Sequence, residues 1–146
     1  MRGAAWCGLC VVLAIAGKSA RAAEIAWLHD TETAWQQTVS ENRPLLLFVT
    51  RANCKYCAQM KSVTFADEQV RELVNGGFVP LAVDPTSDAE LIKELKITAY
   101  PTTLLISPDE GLLDQFKGYL PPAECQRRLN RHRIQAAAAP PRSSRR

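Results

Sequence analysis

Histidine is scarce in this 146-residue chain. The two present, His29 and His132, stand far apart with no ligand spacing, so both read as ordinary surface residues and not as a metal centre. Acidic residues are missing from the last stretch: all 15 Asp and Glu precede residue 127, while residues 127–146 hold 7 arginines. An acidic body therefore carries a basic end. Arg127, Arg128, Arg131 and Arg133 have two readings, a solvated helix end favoured by the dipole or a surface that attracts an acidic protein face or anionic lipid. Long apolar runs are also few. Ala4 to Gly17 is uncharged but too short to span a bilayer comfortably, and no second run approaches membrane length. Between Arg2 and the small-residue signal Ala20-Arg21-Ala22, it forms a leader pattern: a signal peptide over residues 1–22, cleaved after Ala22. A retained anchor is the alternative. The chain is thus expected outside the cytoplasm, periplasmic or secreted.

Cysteine is limited as well. Of the 5 in the chain, Cys7 and Cys10 fall in the leader, which leaves Cys54, Cys57 and Cys125. A four-cysteine zinc site would require the leader to be kept within the folded domain. The odd count leaves Cys125 unpaired, and it suits a small buried hydrophobe better than a second redox centre. Cys54-Lys55-Tyr56-Cys57 follows shortly after the apolar run Pro44–Thr50, and a buried strand ending in such a pair is where thiol and disulfide exchange is usually found. Ala58, Met60 and Val63 continue in helical sequence, so Cys54 is expected at a helix start. There its thiolate faces unpaired N–H groups and the positive end of the dipole. Arg51 and Lys55 add positive potential, and a thiol pKa below about 8.5 follows.

The organisation is that of one domain. A short strand is expected at Ile25–Trp27, and Asp30 and Thr31 offer an N-cap for a helix over 31–41 whose stripe is Ala34, Trp35, Thr38 and Val39. Trp27 and Trp35 read as packing residues. Leu45–Val49 is a strand covered on both faces, with a helix over 54–63 after it. Asp67 caps a helix presenting Val70, Leu73 and Val74, stopped by Gly76-Gly77. Phe78–Val83 is a strand in which Pro80 is awkward, so that the strand starts in earnest at Leu81. Ser87-Asp88-Ala89-Glu90 has capping-box spacing before a helix ending near Lys96. Thr102–Ile106 and Leu112–Phe116 form a hairpin. Pro121-Pro122 open a final helix to about Ile134, so the domain covers 23–135 and the Ala/Pro/Arg stretch 136–146 is a disordered tail. This alternation of strands and helices predicts an α/β fold with a mixed sheet.

With the strand-CxxC-helix unit, Thr98-Ala99-Tyr100-Pro101-Thr102-Thr103 leading into a hairpin resembles the thioredoxin fold, a central mixed β-sheet flanked by helices. Arg43-Pro44-Leu45-Leu46-Leu47-Phe48 and Thr64-Phe65-Ala66-Asp67 are most similar to the secreted thioredoxin-like domains, including the C-terminal domain of the bacterial thiol:disulfide interchange protein. The resemblance implies Cys54 as exposed nucleophile, Cys57 as buried resolving thiol, and the two as a redox-active disulfide. It also implies a cis bond at Tyr100-Pro101, a loop that meets the substrate. Three departures stand out. Phe48 occupies the place of the buried acid of thioredoxins, and Pro80 that of a nearby lysine; Asn53 replaces the usual tryptophan.

The resemblance implies an extracytoplasmic thiol-disulfide oxidoreductase that reduces disulfides of proteins or small molecules and is fed by a membrane electron-donor thiol protein. It calls for no cofactor, metal or nucleic acid, and for a monomer. A soft-metal carrier using the pair for Cu(I), with Met60 as the one nearby extra donor, and a redox-silent folding or interaction module are the alternatives.

Overall fold

The computed structural model describes residues 23–138, so the expected leader and most of the expected tail lie outside the described residues. The elements run α1 Thr31–Glu41, β1 Leu45–Val49, α2 Lys55–Gln59, a π-helical turn Met60–Thr64, α3 Glu68–Gly77, β2 Val79–Val83, α4 Ala89–Glu94, β3 Thr102–Ser107, β4 Gly111–Lys117 and α5 Pro122–Ala138. The last helix thus continues past the expected end at Ile134. The sheet order is β2-β1-β3-β4; β1 pairs parallel with β2 and antiparallel with β3, which pairs antiparallel with β4. This is the expected mixed sheet of a thioredoxin fold.

All five residues of β1 are buried, because alternate side chains enter different cores. Leu46 and Phe48 join Val70 and Val74 of α3, Met60, Phe65, and Cys125 and Leu129 of α5. Leu45, Leu47 and Val49 join Ala34 of α1 and Ile92 of α4. Each such leucine is worth about 1.5–3 kcal/mol of burial, so β1 is held from both sides and its end is a firm platform.

Several local expectations are corrected. Residues 25–27 form no strand; Leu28 instead makes a parallel bridge with Leu81, donating to the Pro80 carbonyl (2.9 Å) and accepting from the Ala82 N–H (2.9 Å). Pro80 lies inside β2, which starts at Val79. The Val79 N–H turns to β1, where it donates to the Pro44 carbonyl. The missing N–H of the next residue therefore falls on the outer side, where no bond to β1 is lost. α3 ends at Gly77, as expected, but both glycines are helical and neither is a left-handed cap; the chain leaves at Phe78, which has an extended backbone. A Cβ on Gly77 would come within 2.9 Å of the Arg133 side chain, so the glycine serves close approach of α3 and α5. The capping box at Ser87 does not form: Asp88 is the cap residue of α4 and makes no side-chain cap bond, while the Ser87 hydroxyl donates to the Asp88 carboxylate.

Helix packing also revises two side-chain readings. Ala34 and Thr38 are fully buried, but Trp35 is 38% exposed and Val39 54%, so only one edge of the α1 stripe faces the sheet. His132 is buried, 3.4 Å by its Nε2 from Asp114 on β4, and is not a surface residue. Part of the basic end is used inside the fold. Arg128 holds both oxygens of Asp114 (3.0 and 3.1 Å) and reaches Glu124, and Arg127 pairs with Glu124. Arg131 stays exposed. As expected, Asp67 caps α3 by accepting from the Val70 N–H (3.0 Å), and Gln126 of α5 donates to the same carboxylate oxygen.

Candidate active site

Strand β1 runs out at Val49, and the next backbone N–H, Thr50, still bonds Val83 of β2 (3.0 Å). The chain then turns through Arg51, Ala52 and Asn53. Asn53 has φ +56°, the left-handed region that asparagine tolerates better than most side chains. This gives a local reason for asparagine before the pair. Cys54 follows as the N-cap of α2, with an extended backbone and its Sγ accepting from the Cys57 N–H at 3.2 Å. The sequence-expected placement at a helix start is found, and a sulfur there receives an otherwise unpaired donor.

Cys54 and Cys57 are joined in a disulfide, their Cα atoms 5.2 Å apart. The two halves differ in access. Cys54 is partly exposed, whereas Cys57 is 2% exposed beneath the helix. An open cleft of about 530 Å³ lies over the pair, and its charged lining is Arg51, Lys55 and Lys61.

The Tyr100–Pro101 loop reaches the same end of the sheet by register. Val49 is opposite Thr102 in the antiparallel β1–β3 pair, so the residues that follow β1 lie beside those that precede β3. The Tyr100–Pro101 peptide is cis. Pro101 is buried and its carbonyl accepts from the Gly118 N–H at 2.7 Å, while Tyr100 is half-buried with the Arg51 guanidinium carbon 5.0 Å from its ring centre. Arg51 thus joins the cysteine cleft to the proline loop. Lys55 is exposed on the first turn of α2.

Below the pair the chemistry is apolar. The Phe48 ring packs edge-on against Phe65 (5.0 Å) and tilted against Trp27 (5.7 Å), with the Lys61 ammonium 5.9 Å from its centre. An aromatic cluster fills the place where the resemblance puts an acid. Trp27 is accordingly a packing residue, as expected. Met60, the extra soft donor considered for a metal carrier, is fully buried in the core.

Lys61 is a site residue that motif reading missed, although it stands four residues after Cys57 and so shares its helix face. The π turn was missed as well. It places both Met60 and Thr64 inward, and the Thr64 hydroxyl donates to the Leu120 carbonyl, tying the helix after the cysteines to the start of α5. Single π turns of this kind occur often beside functional sites.

Cys125 is fully buried on α5, as expected, and burial pushes its thiol up to about 12, helped by the negative charges of Asp67 and Glu124.

Comparisons with known proteins agree with this architecture. A solution structure of a thioredoxin from Thermus thermophilus superposes with a TM-score of 0.71 at 21% identity, covering 80% of this chain and 92% of its own. The oxidised C-terminal domain of DsbD from Neisseria meningitidis gives 0.61 at 19%, covering 73% and 98%. Among curated relatives, spermatogenesis-associated protein 20 of Rattus norvegicus is 26% identical over 110 residues; the match covers 68% of this chain but only 14% of that protein's length. The model of the thioredoxin-like domain matches residues 31–133, which include both cysteines, the cis-proline loop and all four strands. The chain belongs to the thioredoxin-like family, and within that fold it carries a CxxC disulfide.

Proposed function

We propose that this protein works outside the cytoplasm as a reductant of substrate disulfides, with Cys54 as nucleophile and Cys57 as resolving thiol. The observation that carries the reading is the unequal access of two bonded sulfurs: Cys54 at a helix start in an open cationic cleft, Cys57 beneath it at 2% exposure. From the reduced state, the Cys54 thiolate attacks a substrate sulfur. The substrate S–S bond breaks, one substrate thiolate leaves and takes up a proton, and a mixed disulfide remains. Cys57 then loses its proton and attacks Cys54, the mixed disulfide breaks, and the second substrate thiolate leaves. The protein is oxidised as the substrate is reduced. A membrane thiol protein that donates two electrons would restore the dithiol.

Tyr100 and Pro101 supply the opposite wall for an incoming peptide, and Arg51 and Lys55 favour the thiolate through their charge. The export reading rests on the leader pattern. The measurement that tests the function is insulin reduction by the exported form, together with its reduction potential. Turnover with a potential below that of the glutathione pool supports a reductant. A strongly oxidising potential would reverse the direction, and no exchange in either direction would remove the assignment.

A further inference from the structure

Charge is shared unevenly between the redox end and the rest of the domain. Residues 23–126 hold 8 basic side chains and all 15 acidic ones. Three of those basic residues, Arg51, Lys55 and Lys61, line the redox cleft, and no acidic residue lines it. Lys61 also lines a second cavity of about 230 Å³, together with Trp27, Phe65, Arg71 and the exposed Glu24. Arg71 is only 9% exposed, and its Nε has no hydrogen-bond partner among the described residues. The Nε itself is closed to solvent, but Arg71 lines the cavity, and a guanidinium fork suits a carboxylate. Lys61 therefore links two recesses, one holding the disulfide and the other an under-satisfied cation.

Resting on the oxidoreductase reading, we propose that the site selects disulfides flanked by carboxylates. One carboxylate lies beside the reacting sulfur in the field of Arg51, Lys55 and Lys61, and a second enters the Arg71 cavity. Convergent positive charge raises the local concentration of such a substrate and its rate of encounter, and salt weakens the effect. In a single turnover the protein's cysteine pair supplies both electrons, and the protons come from Cys57 and solvent: the substrate S–S bond becomes two thiols, and Cys54–Cys57 becomes the disulfide. The shared chemistry is a carboxylate close to an S–S bond, found in an acidic protein segment and in a small disulfide acid such as oxidised glutathione.

The test mixes the reduced protein, freed of external reductant, with disulfide-bonded peptides that differ only in flanking Glu, Gln or Lys, and separately with oxidised glutathione and with cystamine, a cationic disulfide. The Glu peptide should react about tenfold faster than the Lys peptide at low salt, and the ratio should shrink towards one near about 0.5 M salt. Because a ratio of two substrates cancels changes in thiol reactivity, Lys61→Glu should lower it severalfold. Lys93→Glu, the same charge change on exposed α4, should leave it unmoved. Arg71→Gln should lower it too, and if that variant does not fold, the Lys61→Glu ratio still decides. Equal rates for Glu and Lys peptides, or equal effects of Lys61→Glu and Lys93→Glu, would overturn the proposal while leaving the oxidoreductase reading intact. If no disulfide reacts at all, both fall. A Glu-peptide preference without faster reaction of glutathione than cystamine supports the proposal with an acidic protein segment as the substrate; preference in both arms supports it with small acids included.

Discussion

Cys54 and Cys125 both stand at the start of a helix, yet they occupy opposite chemical settings. Cys54 is the N-cap of α2, partly exposed, in a cleft whose charged lining is cationic. Cys125 lies in the first turn of α5, its N–H bonded to the Pro121 carbonyl, with no exposed surface and with Asp67 and Glu124 as the charges that raise its thiol. A helix start is therefore not enough to make a thiol reactive. Access to water and the sign of nearby charge decide the outcome, because burial and negative neighbours both disfavour the thiolate.

The contrast is broken most severely by removing one thiol at a time. Cys54→Ser should abolish insulin reduction, a fall of at least about a thousandfold, whereas Cys125→Ser should keep most of it. Cys57→Ser should accumulate mixed disulfides through Cys54, since attack persists and resolution does not. Equal trapping by Cys54→Ser and Cys57→Ser would contradict the roles proposed. Alkylation gives the next largest effect. With a thiol pushed up to about 12, Cys125 should react with iodoacetamide at pH 7 about a thousandfold more slowly than a free cysteine, since only the thiolate attacks. Mass spectrometry after a timed quench should find Cys54 labelled first and Cys125 labelled only after unfolding.

The raised Cys125 thiol also makes a stability prediction with a definite sign. The folded state holds this proton more tightly than the unfolded one, so its contribution is complete below about pH 9 and is lost as pH rises towards 12. At pH 7, Cys125→Ala should be destabilising by about 1–2 kcal/mol through the void it leaves. Near pH 11 the unmutated protein should have lost roughly 2–3 kcal/mol relative to the variant. Urea unfolding of both proteins at the two pH values measures the difference. A gap that stays constant with pH would show that the thiol does not titrate differently in the fold.

Much of this arrangement was legible in sequence because it depends on local rules. The five apolar residues before the CxxC pair, the Asp67 cap and the proline that opens α5 each act through neighbours a few positions away. What failed depended on partners distant in the chain. Pro80 is tolerated because its nitrogen faces away from β1, which requires the sheet order. The helix stops at Gly77 as read, but the reason for a glycine there includes Arg133, far along the chain on α5. Trp35 and Ala34 share a helix, but only the face that meets the sheet is buried. His132 had a signal that was available: Cys125, Leu129 and His132 fall at i, i+4 and i+7, one helical face, and the histidine follows the other two into the interior. The place of Lys61 between two recesses was likewise invisible in sequence, since it depends on which cavities the fold puts beside it.

The smallest predicted effect is the most discriminating for what sets reactivity at Cys54. In the reduced protein, thiolate absorbance at 240 nm should report Cys54 titrating below about 8.5, with the buried Cys57 above it. Lys55 is exposed on the first turn of α2, so its charge acts through solvent and is worth on the order of 1 kcal/mol. Lys55→Glu should therefore raise the Cys54 pKa by about half a unit to one unit, and less at high salt because an exposed charge is screened. The Cys57 N–H that meets the Cys54 sulfur and the charges of Arg51 and Lys61 are unaffected by this change, so they supply the remaining depression. An unmoved Cys54 pKa in Lys55→Glu would assign the effect to the helix start, and leave Lys55 as a solvated side chain. A Cys54 pKa near 8.5 in the unmutated protein would erase the proposed contrast with Cys125, since neither thiol would then be ionised to any great extent at neutral pH.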